Sequence, residues 1–379
     1  MPTAPPHRTA SERSALARGV RHRLAAGLAA AALLPALAAC AGDASADSPA
    51  GDGTASAPTA ALPTEVPAGT TLVVGDPTTQ KAVELAGDDL DADLGFEIEW
   101  ANLSGGPQTT EAFRAGALDV GAVADIPPIH ARWTGLDVRI VAAVYREDWQ
   151  ENPIYEFGVA PGVEGVESLE DFAGHRIAYS PGQAQGVIVL RALAEAGLTR
   201  DDVELVELPS TGDVYATALA AGEIDIAPIG GVQVARYVEK YGTDGAHTVR
   251  HGLRDDPSNL YVPTSVIEDP ATAAALRAYV ALWAQAKLWV HDHPEEWKAG
   301  YYVADQGLSP ADADYLVEHA GVPDIPQDWA EPIARHQETI DLLADATGNE
   351  SFDAAELWDQ RFAPVIAGSA AAYRERQAG

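Results

Sequence analysis

The chain has 379 residues, 47% of them hydrophobic and 21% charged. That is long enough for two ordinary domains, because single cores usually stop growing at ~250 to 300 residues. With 24 basic against 57 acidic residues and a net charge of -33, it lacks the basic character that nucleic-acid binders use to neutralise phosphates, and the acidity reads as solubility.

In chain order, Arg8, Arg13, Arg18, Arg21 and Arg23 are opposed only by Glu12, and no charge follows from Leu24 to Ala39. A basic stretch followed by an apolar one is the pattern of a signal peptide, read here as residues 1–39. The run is shorter than the ~20 residues a membrane-crossing helix needs. Its end, "LAAC", resembles the lipobox of bacterial lipoproteins, in which the cysteine carries a diacylglyceryl group. Cys40 is the sole cysteine. The stretch after it, to residue 67, is almost entirely Ala, Gly, Ser, Thr, Asp and Pro, too polar and small to build a core. Residues 40–67 are therefore read as a lipidated cysteine and a flexible linker, anchoring the protein at the extracytoplasmic face of the cell membrane.

Folding is expected from about residue 68. "TTLVVGD" (Thr70 to Asp76) is a β-branched run ended by turn residues, followed by a helix for which Thr78 or Thr79 is a candidate cap. "GFEIEW" alternates Phe96, Ile98 and Trp100 on one face before a Ser-Gly-Gly turn, and Pro107 suits the start of the next helix. "ALDVGAVAD" is a further buried strand. The pattern then returns. "AFRAGALDVGAV" (Ala112 to Val123) is echoed by "ALAAGEIDIAPI" (Ala218 to Ile229), and "LVVGDPTTQKAVELAG" by "RIAYSPGQAQGVIVLRALAEAG" (Arg176 to Gly197), with Val187, Leu190 and Ala194 marking one helix face. Two α/β lobes are expected: residues 68–158 as the first part of lobe 1, 159–255 as lobe 2, and 256–379 as a return to lobe 1 with C-terminal helices.

In open α/β sheets, ligands lie beyond the carboxyl ends of the strands. That rule selects five loops: 75–80, 104–108, 125–128, 180–186 and 229–232. Facing each other across a cleft, they form a small-molecule site that closes by a hinge. They supply Thr78, Thr79, Gln80, Ser104, Gln108, Ser180, Gln183 and Gln185, with the backbone amides of Gly105 and Gly230, and no Lys or Arg. Neutral donors at helix N-termini suit an anion such as a sulfonate, although the same residue types also serve simply as caps and turns. Asp125 differs from the rest: it either meets a cationic or hydroxylated part of the ligand or, the preferred reading, caps the helix beginning at Ile126 and Pro127.

Two other clusters read as structural. "WVHDHPEEW" gathers His291, Asp292, His293, Glu295 and Glu296, but Pro294 breaks the helix there and a solvated junction is preferred to a zinc site. Trp283, Leu288, Trp289 and Trp297 are expected to pack on lobe 1.

Residues 70 to 370 resemble the solute-binding proteins of ABC importers for aliphatic sulfonates, taurine and nitrate. The resemblance rests chiefly on "SGGPQTTEAFRAGALDVGAVADIPPI" (Ser104 to Ile129), which has one extra glycine, and on "VESLEDFAGHRIAY" and "HPEEW". It implies a type II periplasmic binding protein fold, ligand capture between lobes, and delivery to a membrane permease driven by an ATPase. No cofactor is implied, and a monomer is expected. In the second lobe, "SPGQAQG" and "IGGVQVARY" depart from the family's usual loops, and Gly230 and Gly231 leave room for a larger or aromatic organosulfur ligand. Taurine, nitrate or a pyrimidine precursor are the alternative ligands. The same fold resembles desulfinases and thiamin-pathway enzymes. With no cysteine after Cys40, and only His130 just beyond the loops, no activated nucleophile is visible and catalysis is not expected.

Overall fold

The computed structural model describes residues 60–90, 93–103 and 105–378. The signal-like segment, Cys40, most of the linker and Ser104 lie outside them. Residues 60–67, read from sequence as linker, lie against the fold through half-buried Leu62 and Val66.

The first part of lobe 1 runs β1 (Thr71–Gly75), α1 (Pro77–Ala86), β2 (Glu97–Trp100), α2 (Gly106–Arg114), β3 (Val120–Val123), α3 (Ile126–Trp133) and β4 (Val138–Arg146). The chain then crosses to β5 (Tyr155–Val159), β6 (Arg176–Tyr179), α4 (Ala184–Glu195), β7 (Glu204–Glu207), α5 (Val214–Ala220), β8 (Ile226–Gly230), α6 (Val232–Tyr241) and β9 (His247–Val249). It returns through β10 (Ser258–Pro263), α7 (Thr264–Glu268), α8 (Pro270–Asp292), α9 (Pro294–Trp297), a π-helical turn (Lys298–Val303), α10 (Pro310–Glu318), β11 (Pro323–Asp324), α11 (Ala330–Thr347) and α12 (Ala363–Ala378).

Two sheets result, one ordered β11-β4-β10-β3-β1-β2 and the other β7-β6-β8-β5-β9. β1 is parallel to β2 and β3, and β6 is parallel to β7 and β8. β10 is antiparallel to both β3 and β4. The loops at the carboxyl ends of the parallel strands of both sheets therefore belong to one interlobe region.

The sequence echo has a structural cause. Asp119 Oδ2 accepts Val73 N at 2.8 Å, while Asp119 N donates to Val73 O at 2.9 Å. In the second lobe Asp225 Oδ2 accepts Arg176 N at 2.8 Å, and Asp225 N donates to Arg176 O at 2.9 Å. In each repeat the aspartate just before β3 or β8 thus ties the start of that strand to β1 or β6, its parallel neighbour. Gly116 and Gly222, just before, take φ of +64° and +67° to end the preceding helix.

Some local expectations change. Asp76, not Thr78 or Thr79, caps α1, accepting Thr79 N at 3.1 Å with Pro77 in the first turn. Ala194 is exposed, whereas Val187 to Leu190, Ala192 and Leu193 are all buried, because α4 packs on its own sheet and also on α11. Trp283, Leu288, Trp289 and Trp297 are buried, in agreement with the core reading.

The two crossings are tied together by adjacent acids. Asp256 Oδ2 accepts Arg146 N at 2.6 Å, and Asp255 Oδ2 accepts Tyr155 N at 2.7 Å. Each carboxylate of the returning crossing thereby satisfies a backbone donor at one end of the outgoing one.

Candidate functional site

A cavity of about 630 Å³ lies between the lobes, reached by Thr78 and Thr79 of α1, Tyr145 and Arg146 at the end of β4, and Gly231 and Val234 of lobe 2. Lys287 and Val290 of α8, Trp297, Tyr301 and Tyr302 of the π-turn region, and Tyr315 to His319 of α10 complete its walls. A second recess of about 280 Å³ lies in lobe 2, where Gln185, Ser210, Tyr215, Gly230 and Gln233 meet.

At the α1 edge of the main cavity, Asp76 is 1% exposed. Its carboxylate accepts Thr79 N, Thr78 Oγ1 at 2.7 Å, Thr79 Oγ1 at 2.6 Å and Tyr279 OH at 3.3 Å. Burial opposes its charge, but Lys287 and the bonds from Thr79 and Thr78 outweigh burial and hold the carboxyl below its ordinary value. Thr78 and Thr79 do border the cavity, yet their hydroxyl protons are directed to Asp76. The α1 N-terminus, expected to receive a ligand anion, is occupied by the protein's own carboxylate.

The cation at this edge is one that the loops did not supply. Lys287 Nζ lies 3.4 Å from Thr78 Oγ1 and 5.0 Å over the Trp283 ring, and makes no ion pair among the described residues. Four donors already satisfy Asp76, so the ammonium retains hydrogen-bond capacity toward the cavity. Arg146 is a second cation on the wall. Burial lowers its pKa while Asp255, Asp256 and Asp148 raise it, and its Nη1 donates to Asn152 O at 2.6 Å.

The remaining expected loop residues divide into two groups. Gln80 turns to Glu84 on the helix surface, with Nε2 3.2 Å from Oε1. Gly105, with φ +87°, precedes α2, and both it and Gln108 are exposed. Gln183 stands at the N-cap of α4 without a side-chain capping bond, Ser180 is buried, and Gln185 and Gly230 line the smaller recess. Asp125 occupies the N-cap position of α3 but makes no capping bond. Its Oδ2 instead receives Arg191 Nη2 at 3.2 Å and Thr339 Oγ1 at 3.4 Å, and its carbonyl receives His336 Nε2 at 3.0 Å. The preferred capping reading of Asp125 is thus replaced by an ion pair between lobe 1 and α4 of lobe 2.

These contacts close the α3 side of the interlobe region. His130 meets the lobe-2 loop so closely that a Cβ on Gly182 would lie 3.2 Å from its Nε2. The open volume lies instead beside α1 and α8, so Thr78 and Thr79 line it whereas Gln108, Asp125 and Gln183 do not. Lys287 left one signal in the sequence: it stands alone among Trp283, Ala284, Gln285, Ala286, Leu288 and Trp289, all buried. A lone lysine inside such a run has to reach a cavity or a partner.

The NMT1/THI5-like family matches residues 92–297, more than half of the chain. The chain belongs to that family. An Escherichia coli (strain K12) protein named for binding aliphatic sulfonates is 32% identical over 108 residues, 28% of this chain and 32% of that protein. The match therefore spans about a third of that curated relative. The structure of the alkanesulfonate-binding protein SsuA from Xanthomonas axonopodis pv. citri, bound to MOPS, superposes with a TM-score of 0.61 at 23% identity, over 78% of this chain and 99% of that one. The periplasmic aliphatic sulphonate binding protein SsuA of Escherichia coli gives 0.63 at 21%, over 77% and 92%. At such identities the likeness establishes the fold. This NMT1/THI5-like chain has the two-lobed periplasmic binding protein fold.

Proposed function

We propose that this protein is the extracytoplasmic solute-binding component of an ABC importer, capturing a small organic anion of sulfonate type between its lobes for delivery to a permease and its ATPase. The observation that carries the reading is Lys287, a cation in no direct ion pair among the described residues, on the wall of an interlobe cavity. A charge-assisted bond from its ammonium to a sulfonate oxygen contributes about 1.5 to 3 kcal/mol. The sulfonate-binding names of the similar proteins support the same ligand class. Cys40, as a lipid-bearing residue, would hold the protein at the membrane.

Calorimetry with alkanesulfonates, taurine, nitrate and a pyrimidine tests the proposal. One-to-one binding of a sulfonate without turnover is expected, with Lys287→Met weakening it about ten- to hundredfold. Turnover, or sulfonate affinity untouched by Lys287→Met, refutes it. Anchoring is tested separately: membrane association that survives Cys40→Ala refutes lipidation at that residue.

A further inference from the structure

The cavity is larger and more aromatic than a short alkyl anion needs. At 630 Å³ it falls within the roughly 300 to 1,000 Å³ of sites that take drug-sized ligands, larger than a two-carbon sulfonate needs. Rings supply much of its wall. Trp297 and Tyr301 stack at 4.3 Å between centroids and 26° between planes, and Tyr302 meets Trp297 edge-on at 6.0 Å. On α10, Tyr315 and His319 stack at 4.1 Å and 24°.

The backbone is shaped to hold these rings in place. Lys298–Val303 forms a π-helical turn, the widened geometry that often marks functional positions. Gly300 presses the turn against α1, where a Cβ would lie 2.4 Å from Leu85 Cδ2. Rings that already pack on one another lose little freedom when a planar ligand docks on them.

The charges limit the ligand further. Asp148, Glu156, Asp256 and Glu318 border the same cavity. Three of them have partners: Asp148 accepts Val322 N, Glu156 accepts Arg250 Nε, and Asp256 accepts Arg146 N. Their field nevertheless opposes a second negative charge on the ligand.

Building on the anion-capture reading above, we infer that the ligand is a monoanionic arylsulfonate: its sulfonate meets Lys287, and its ring lies on the wall made by Trp297, Tyr301 and Tyr302. Aromatic contact adds attraction beyond area burial, so the ring is preferred over an alkyl chain of equal carbon number.

The test is calorimetry on the purified protein with benzenesulfonate, 1-hexanesulfonate and, at pH 8, the dianion phenylphosphonate. Benzenesulfonate is expected to bind about three- to tenfold more tightly than hexanesulfonate, and phenylphosphonate more weakly than benzenesulfonate. Tyr302→Leu is expected to weaken benzenesulfonate more than hexanesulfonate and so abolish the preference, and Tyr301→Leu provides a second variant should the first fold poorly. Equal or tighter binding of hexanesulfonate, or of phenylphosphonate, or a preference that persists in both variants, overturns the inference. If hexanesulfonate binds in a Lys287-dependent way without aryl preference, anion capture stands and only this inference falls. If neither sulfonate binds, both fall.

Discussion

Thr78 Oγ1 donates to Asp76 Oδ1 at 2.7 Å and receives Lys287 Nζ at 3.4 Å, so one hydroxyl links a buried carboxylate to the cation of the cavity. The link orients both charges. Asp76 faces four donors inside the fold, and Lys287 is held at the wall without being drawn into a direct ion pair.

Asp76 therefore contributes to stability in acid. Its carboxyl is lowered below the ordinary 3.8 in the fold, so its contribution is complete above that value and is lost as pH falls through the lowered one. Asp76→Asn is expected to destabilise the protein at pH 7 by about 2 to 4 kcal/mol, since several bonds lose their charged acceptor. The variant cannot titrate, so its stability should vary less below pH 4 than that of the wild type. Urea unfolding at pH 7, 4 and 3 checks this, and parallel pH dependences for the two proteins would contradict it.

Asp125 provides a test of structure against ligand contact. Asp125→Asn weakens the pair with Arg191 and is expected to cost about 1 to 3 kcal/mol, read as a fall in Tm of a few degrees. Sulfonate affinity should stay within about twofold of wild type. A variant with unchanged Tm and sharply reduced affinity would place Asp125 on the ligand instead.

Between α6 of lobe 2 and α10 of lobe 1, Arg236 grips Asp312 with Nε to Oδ1 at 2.9 Å and Nη2 to Oδ2 at 2.6 Å. Arg236 and Ser309 lower the Asp312 carboxyl to about 2, so the pair contributes above the ordinary carboxylate value and is lost only as pH falls toward 2. Because Arg236 is partly exposed, its removal should cost only about 0.5 to 1 kcal/mol. Arg236→Gln is expected to speed ligand release two- to fivefold in stopped-flow measurements. The effect should be constant between pH 5 and 8 and smaller at high salt.

Gly186 sets the turn that begins α4. A Cβ there would lie 2.1 Å from Ser180 O, a backbone atom with little freedom to move. Gly186→Ala is expected to cost about 1 to 3 kcal/mol through a shift of the 180–186 loop, measured by urea unfolding. A stability equal to wild type would show that the loop relaxes freely.

Sequence alone determined the strand-loop-helix units from β1 to α3 and around β6, α4 and β8, the repeated lobe and the placement of five loops at the carboxyl ends of strands, whereas β4, β5, β7 and β9 to β11 were not read from it. Those features are local: alternating apolar residues in β2, a glycine ending a helix before Asp119 or Asp225, and a proline opening α2 act over a few residues. Which half of the interlobe region stays open was decided by tertiary structure. Asp125 meets Arg191 only when α3 and α4 pack together, and Lys287 reaches Thr78 from 209 residues away. No periodicity encodes such meetings, because they depend on how completed helices stack across sheets. For that reason Thr78 and Thr79 were placed at the cavity from sequence, whereas its cation and its aromatic wall came from the return of the chain through α8 to α10.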